Sequence, residues 1–281
     1  MALPGLADCT LHESTAQVDG GQMYYRHNGI DLVRPTILFL HGIGESGLCF
    51  LEAFHDSRLT EFNIIVPDLI GFGKSSRAEQ YGYTFSSQIV RLNSLLNELG
   101  VARFNLVGHS MGGMIGTQYC QQHGDRILSF VNIEGDLTSD NRFIVESAIQ
   151  ADANGRFEDW LRDEFARGLI IDICHQWPST VRYLASLDMC ESEAFLESAR
   201  EIDRIIEPVS DDQTALIGKT YLELKTPRVF CWGSESLSNI ARDFLVRTNL
   251  NNREFTGAFH WLMLDKTEQF YGFLAEFLAS Q

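Results

Sequence analysis

The sequence is poor in basic residues and has no long apolar run. Its 281 residues include 22 lysines and arginines against 38 aspartates and glutamates, which gives a net charge of −16 at pH 7. The basic residues form no block, so binding to nucleic acid or to an anionic membrane surface is disfavoured. No apolar stretch reaches the roughly 18 residues of a membrane-spanning helix. These absences disfavour nucleic-acid partners and exclude a membrane span.

The sequence also has no cysteine motif of the kind that binds metals or forms a redox centre. The six cysteines, at positions 9, 49, 120, 174, 190 and 231, are scattered and form no CxxC motif or metal-ligand spacing. Residues 1–5 show no charged segment followed by a long apolar run, so we expect no signal peptide. Together these features predict a cytoplasmic protein with reduced thiols and without a metal site.

Strand and helix patterns alternate over most of the chain. Continuous apolar runs, which are typical of strands buried on both faces, occur at residues 36–40, 63–66, 104–107, 127–133 and 228–232, and a further strand is predicted at 252–255. Helical spacing of apolar residues occurs at 85–99, from 111 onward and at 267–278. An antiparallel hairpin is predicted within residues 15–27, after a loose tail at 1–12. The order predicts an α/β fold, in which helices cover both faces of a mostly parallel sheet.

A long helical stretch interrupts this alternation. Between residues 137 and 221 only amphipathic helical segments follow one another. We therefore predict an α/β core formed by residues 1–136 and 222–281, with residues 137–221 inserted as a helical cap or lid. The alternative is a dimerisation module, so a homodimer stays open as the oligomeric state.

A serine between glycines follows the predicted strand at 104–107. Gly108, Ser110 and Gly112 form the pattern G-x-S-x-G, and a helical pattern begins at Met111. In this strand–turn–helix context the turn forces the serine into strained backbone angles and lifts its hydroxyl clear of the sheet. The glycines let strand and helix approach closely, and the helix N-terminus favours developing negative charge. We predict that Ser110 is a catalytic nucleophile rather than part of a structural turn.

Four motifs, in this order and spacing, resemble the α/β-hydrolase fold enzymes. They are HGIG at 41–44, PDLIGFGKS at 67–75, GHSMG at 108–112 and FHWLMLD at 259–265. The resemblance covers both ends of the chain but not the stretch from 137 to 221. It implies a serine hydrolase that forms an acyl-enzyme with a small to medium, partly apolar ester and needs no metal or organic cofactor.

The resemblance also implies a base and an oxyanion hole. His260, between the predicted strand at 252–255 and the last helix, is the expected base, because the family order is serine, acid, histidine. Two backbone N–H groups should bind the developing oxyanion, and losing one such donor typically costs ~3 kcal/mol. They are expected from Met111 and from Ile43.

The acid departs from the usual pattern of the relatives. Where they carry W-G-x-x-D, this chain has tryptophan and glycine at 232–233 but Ser236 at the acid position. A neutral hydroxyl cannot stabilise an imidazolium as a carboxylate does. We favour Glu134, at the end of the preceding core strand, and keep Glu235 and Asp136 as alternatives.

Six further residues are predicted near the substrate. They are His41, Cys49, Phe50, His109, Trp160 and Trp177. The two histidines adjoin the site, and structural support is favoured for them over base chemistry. For the cysteine and the aromatic residues, core packing is the alternative.

Other activities use the same residues. A serine triad on this fold also fits cleavage of a lactone, a thioester or a carbon–carbon bond. Ser110 disfavours haloalkane dehalogenase or epoxide hydrolase chemistry, for which the resemblance implies an aspartate. A hydrolase-like ligand receptor and a cofactor-free oxygenase or lyase also stay open, because fold resemblance alone does not settle function.

Overall fold

The computed structural model describes residues 11–80 and 82–281. The predictions for the first ten residues, namely the missing signal peptide, most of the loose tail and the free thiol of Cys9, lie outside this range. The strands are β1 (His12–Val18), β2 (Gly21–His27), β3 (Thr36–Leu40), β4 (Asn63–Pro67), β5 (Phe104–His109), β6 (Ile127–Ile133), β7 (Arg228–Gly233) and β8 (Asn252–Phe255). The helices are α1 (Phe85–Glu98), α2 (Met111–His123), α3 (Phe143–Ala153), α4 (Phe157–Asp159), α5 (Ile171–Gln176), α6 (Val181–Leu187), α7 (Ser192–Ile205), α8 (Leu216–Glu223), α9 (Asn239–Thr248), α10 (Leu262–Asp265) and α11 (Thr267–Ala279).

The described strands form one eight-stranded sheet in the order β1-β2-β4-β3-β5-β6-β7-β8. β2 pairs antiparallel with β1 and with β4, and the other pairings are parallel. The predicted α/β fold is therefore confirmed. Because β3, β5 and β4 are buried along their whole length, they read as continuous apolar runs in the sequence.

Two helices show how the layers are built. α1 is capped by Thr84, whose side chain accepts a hydrogen bond from the Ser87 N–H, and the helix buries Ile89, Leu92 and Leu96. α2 packs on β5, β6 and α8, at the centre of the sheet. Among the described residues, no helix has both the length and the apolarity that a bilayer crossing requires.

The stretch between β6 and β7 is helical, as expected. It contains α3 to α7, and α4 continues directly as a π-helix over Trp160–Ile170. α8 belongs elsewhere, because it packs on α2, and its Tyr221 ring lies against Phe130 and Phe230 of the sheet. The expected boundary at residue 221 thus falls inside a helix of the core layer. The division into core and lid stays a prediction.

The close approach of β3, β5 and α2 gives a first testable prediction. A Cβ atom on Gly112 would lie 2.2 Å from the carbonyl oxygen of Leu40, a contact that the backbone must move to relieve. We expect Gly112→Ala to lower the free energy of unfolding by about 1–3 kcal/mol, as overpacking in a core does, measured by urea unfolding. Gly168→Ala is the matched control, because its new Cβ would meet only an ordinary contact at 3.5 Å. Equal stability of the two variants would contradict the prediction.

Candidate active site

The candidate site lies where neighbouring parallel strands end. Ser110 directly follows β5, Glu134 directly follows β6, and His260 lies in the loop after β8. Since β5, β6, β7 and β8 are adjacent and parallel, their carboxyl ends meet at one edge of the sheet. The fold therefore brings together three side chains that lie up to 150 positions apart in the sequence.

Ser110 occupies a strained turn between β5 and α2. Its φ is 51° and its ψ is −119°, a conformation that non-glycine residues rarely adopt. Its N–H donates to the carbonyl of Ile133 at 2.8 Å, which ties the turn to the end of β6. A Cβ on Gly108 would lie 2.3 Å from the carbonyl oxygen of Gly112, so this position has no room for a side chain.

Glu134 and His260 form a close pair. Oε2 of Glu134 lies 2.7 Å from Nδ1 of His260, and the Glu134 side chain is 5% exposed against 23% for His260. This contact fixes the Nδ1–H tautomer in the neutral ring and leaves Nε2 as the basic nitrogen. Burial lowers the pKa of His260, but the hydrogen bond and the charge of Glu134 outweigh it, so that the pKa lies above its ordinary value of 6.5.

The second oxygen of Glu134 accounts for Ser236. Oε1 accepts hydrogen bonds from the N–H of Gly233 at 2.6 Å and from the hydroxyl of Ser236 at 2.5 Å. The carboxylate of Glu134 thus reaches across β7 to the loop where the relatives were expected to carry an acid. An aspartate at 236 would face Glu134 with a second negative charge, whereas the serine donates to it.

The two alternative acids lie elsewhere. Glu235 is exposed, and its Oε1 accepts from the Ser234 hydroxyl at 2.9 Å. Asp136 accepts from the side-chain amide of Asn141 at 3.2 Å, and burial raises its pKa to about 7. In the described part of the chain neither carboxylate forms a hydrogen bond with His260, so the geometry favours Glu134.

Two backbone donors adjoin Ser110. In the described residues the N–H groups of Ile43 and Met111 donate to no protein acceptor. Gly42 to Glu45 form a tight turn, in which the Glu45 N–H donates to the Gly42 carbonyl at 3.2 Å and Gly44 has a φ of 70°. The hydroxyl of Tyr183 in α6 donates to the Ile43 carbonyl at 3.0 Å, so the helical insertion helps to hold this turn.

These groups surround a cavity of about 200 Å³. Its wall is mostly apolar on the side of the insertion, where Ile144, Phe165, Ile170, Ile173 and Tyr183 line it. The same stretch also supplies the polar Asn141, and the remaining lining residues are Gly42, Ile43, Glu45, His109, Ser110, Glu134, Ser236, Phe259, His260 and Trp261. Among these lining residues there is no lysine or arginine. Ile144 and Phe165 also border a larger open groove of about 820 Å³ on the insertion, so the two spaces are neighbours.

Of the four residues other than tryptophan that were predicted near the substrate, one lines the cavity and three are buried away from it. His109 lines the cavity, whereas His41 is fully buried, donating from Nδ1 to the Gly42 carbonyl and accepting at Nε2 from the Leu69 N–H. Cys49 is buried and Phe50 packs on Phe39 in the core, because the short 3-10 helix Gly47–Phe54 turns them away from the cavity.

The two predicted tryptophans lie behind the wall. Trp160 stacks on Phe165 and borders the open groove, and Trp177 stacks on Phe259 with ring centroids 5.4 Å apart. The aromatic wall therefore consists of Phe165, Tyr183, Phe259 and Trp261. Sequence reasoning missed Glu45 and Trp261, although a glutamate inside a glycine-rich loop beside an apolar strand was a visible signal.

Comparison with known proteins defines the class. A sequence profile of the alpha/beta hydrolase fold family matches residues 35–187, more than half of the chain, and the chain therefore belongs to this family. It is 32% identical to Lipase 1 of Psychrobacter immobilis over 118 residues, which cover 42% of this chain and 36% of the lipase. It is 31% identical to an uncharacterized hydrolase of Saccharomyces cerevisiae over 128 residues, 44% of this chain and 43% of that protein. The matches thus span less than half the length of these relatives.

Solved structures share the fold over nearly the whole chain. A hydrolase from Pseudomonas aeruginosa PA01 has a TM-score of 0.73 at 20% identity, covering 95% of this chain and 98% of the other. The enol-lactonase from Burkholderia xenovorans LB400 has a TM-score of 0.71 at 18% identity, covering 95% and 100%. At such identities the likeness concerns the fold alone.

The contact between Glu134 and His260 gives a prediction that needs no substrate. We expect Glu134→Gln to lower the pKa of His260, because the variant removes the charge and weakens the hydrogen bond that raise it. The measurement is an NMR titration of the histidine rings. Glu235→Gln is the control and should leave the pKa unchanged, since that carboxylate is exposed and bonds Ser234. The reverse result would assign the histidine's partner to Glu235.

Proposed function

We propose that the protein is a serine hydrolase that cleaves an ester or a related acyl bond. The observation that carries the proposal is one cavity that holds Ser110 and His260 on its surface, with Glu134 hydrogen-bonded to the ring at 2.7 Å behind it. A hydroxyl, a base and an orienting carboxylate are the groups that acyl transfer to serine requires.

In the proposed reaction Ser110 Oγ attacks the carbonyl carbon while Nε2 of His260 takes the hydroxyl proton. Glu134 stabilises the imidazolium that forms, and the N–H groups of Ile43 and Met111 bind the oxyanion. Collapse of the tetrahedral intermediate breaks the bond to the leaving group, which receives the proton from His260. A water molecule then attacks the acyl-enzyme with His260 as its base, and the acid leaves as Ser110 is restored.

The cavity supports a substrate with an uncharged, partly apolar acyl group. Glu45 and Glu134 are its charged lining residues, each paired with a histidine, and no lysine or arginine of the described residues lines it. A carboxylate on the substrate would be desolvated there without a partner. The volume of about 200 Å³ suits a short acyl chain.

We propose further that α3 to α7 act as a lid over this cavity. Ile144 of α3, Phe165 and Ile170 of the π-helix, Ile173 of α5 and Tyr183 of α6 supply its apolar wall. π-helical turns are frequent at functional sites. Among the relatives, the name of Lipase 1 also points to ester hydrolysis, which supports the same reaction class for this chain.

Ser110→Ala tests the nucleophile. We expect it to lower the kcat for p-nitrophenyl butyrate by about 10³-fold or more and to abolish labelling by a fluorophosphonate probe, because the acyl-enzyme cannot form without the hydroxyl. Ser94→Ala on α1, outside the cavity, is the control and should keep both signals. If the folded wild type showed neither turnover nor labelling, the result would instead favour a ligand receptor, or a cofactor-free oxygenase or lyase.

The charge of the acyl group tests the substrate class. We expect kcat/KM for mono-p-nitrophenyl succinate to be at least about 10-fold below that for p-nitrophenyl butyrate, because an unpaired carboxylate costs several kcal/mol to bury. The methyl ester of the succinate is the neutral control of similar length. Equal rates for the anionic and neutral substrates would contradict the assignment.

A further inference from the structure

A second buried carboxylate lies beside the candidate triad, and the proposed reaction gives it no role. Glu45 is 2% exposed. Its Oε2 accepts hydrogen bonds from the Gly42 N–H at 2.5 Å and from Nδ1 of His109 at 2.9 Å. Its Oε1 accepts from the indole N–H of Trp261. Three donors therefore converge on one side chain.

Each donor lies next in sequence to a different residue of the proposed reaction. Gly42 precedes the proposed oxyanion donor Ile43, His109 precedes Ser110, and Trp261 follows His260. His109 extends the connection, because its Nε2 lies 3.0 Å from the backbone carbonyl oxygen of His260. Glu45 thus ties the oxyanion turn, the nucleophile turn and the histidine loop to a single point.

The contacts of His109 define which hydrogens its ring would need to donate. Nδ1 of His109 faces the carboxylate of Glu45 and Nε2 faces a carbonyl oxygen, and both are acceptors. Only a ring that carries a hydrogen on each nitrogen satisfies both contacts.

We propose that Glu45 is a positioning residue for the reaction, which holds the oxyanion turn and the His260 loop in register with Ser110. The inference rests on the proposed function. It assigns Glu45 no proton transfer and no contact with the reacting atoms. Its carboxylate stays ionised over the working range: burial alone would raise its pKa, but the charge and hydrogen bond of His109 and the bonds from Gly42 and Trp261 lower it to about 2.

The chemistry of glutamine makes the test sharp. A carboxylate accepts on both oxygens, whereas the amide of Glu45→Gln has one acceptor and one donor end. If the amide oxygen of the glutamine points toward Gly42 and His109, its NH₂ group faces the indole N–H of Trp261, so two donors meet. If the amide is flipped, the NH₂ group faces the Gly42 N–H instead, and again two donors meet. Trp261→Phe removes the indole donor, so it should relieve the conflict in the double variant.

We expect Glu45→Gln to lower kcat for p-nitrophenyl butyrate by about 30- to 100-fold with KM within about threefold, because a displaced oxyanion donor acts in the transition state. When Trp261→Phe is already present, the same change should cost about fivefold or less. Rates are expressed per folded protein, with the folded fraction taken from circular dichroism.

Asp68→Asn is the matched control. Asp68 is also a fully buried carboxylate, and it accepts from the Arg26 guanidinium at 2.8 Å and from the Gly47 N–H at 2.7 Å, but not from Gly42, His109 or Trp261. It should lower the melting temperature while kcat per folded protein stays within about threefold of the wild type. This separates a loss of positioning from a loss of stability.

Nitrogen-15 spectra of the histidine rings give a readout that does not depend on activity. We expect two protonated nitrogens on His109 in the wild type and in Asp68→Asn, and a singly protonated ring in Glu45→Gln. A singly protonated His109 in the wild type, a Glu45→Gln kcat within threefold of the wild type, or no relief by Trp261→Phe would overturn the inference. A wild type without ester hydrolysis would instead overturn the proposed function, and the spectra would then decide on the Glu45–His109 pair alone.

Discussion

The hydrogen bond between Glu134 and His260 depends on the order of the strands. It spans from the end of β6 to the loop after β8, and β7 lies between them. A glutamate bridges this gap because it is one methylene longer than an aspartate, and its free oxygen is held by Gly233 and Ser236 at the end of β7. The position of the carboxylate is therefore a property of three strand ends together, and the orientation of His260 follows from it.

The pairing of buried carboxylates with histidines is the second constraint on the site. The cavity wall holds two carboxylates, Glu134 and Glu45, and each lies within 3 Å of a histidine ring nitrogen. Either carboxylate would be costly without such a partner, since both side chains are almost fully buried. The histidines differ in what the other ring nitrogen meets: His109 faces a carbonyl oxygen, whereas Nε2 of His260 has no protein partner among the described residues. That difference separates a ring suited to support from one suited to base chemistry.

Much of the fold could be predicted from the sequence because its signals are local. Buried parallel strands such as β3 and β5 are continuous apolar runs, and the turn at Ser110 needs glycines within two positions on either side. The predicted fold class was confirmed by the sheet, and the resemblance to the family was confirmed by the sequence profile. The C-terminal end of the insertion could not be predicted from the sequence, because α8 is amphipathic like the helices before it. Only its packing on α2 assigns α8 to the core layer.

The interior of the site could not be predicted in the same way. Cys49 and Phe50 come shortly after the Gly42–Glu45 turn in the sequence, yet the direction of their side chains depends on how a short 3-10 helix docks on β3 and β4. The partners of Glu45 come from positions 42, 109 and 261, and no local pattern links them. Contacts between loops that are distant in sequence become visible only once the sheet has set the strand ends.

The backbone strain at the site has a consequence for how such a sequence can change. Ser110 and Glu134 both have positive φ angles, 51° and 48°. Residues other than glycine rarely adopt such angles, because they strain the backbone. A glycine at either position would relax the chain while removing the hydroxyl or the carboxylate. At these two positions a substitution that increases stability would therefore remove a group that the proposed reaction needs. A thermostable descendant would have to gain its stability elsewhere in the chain.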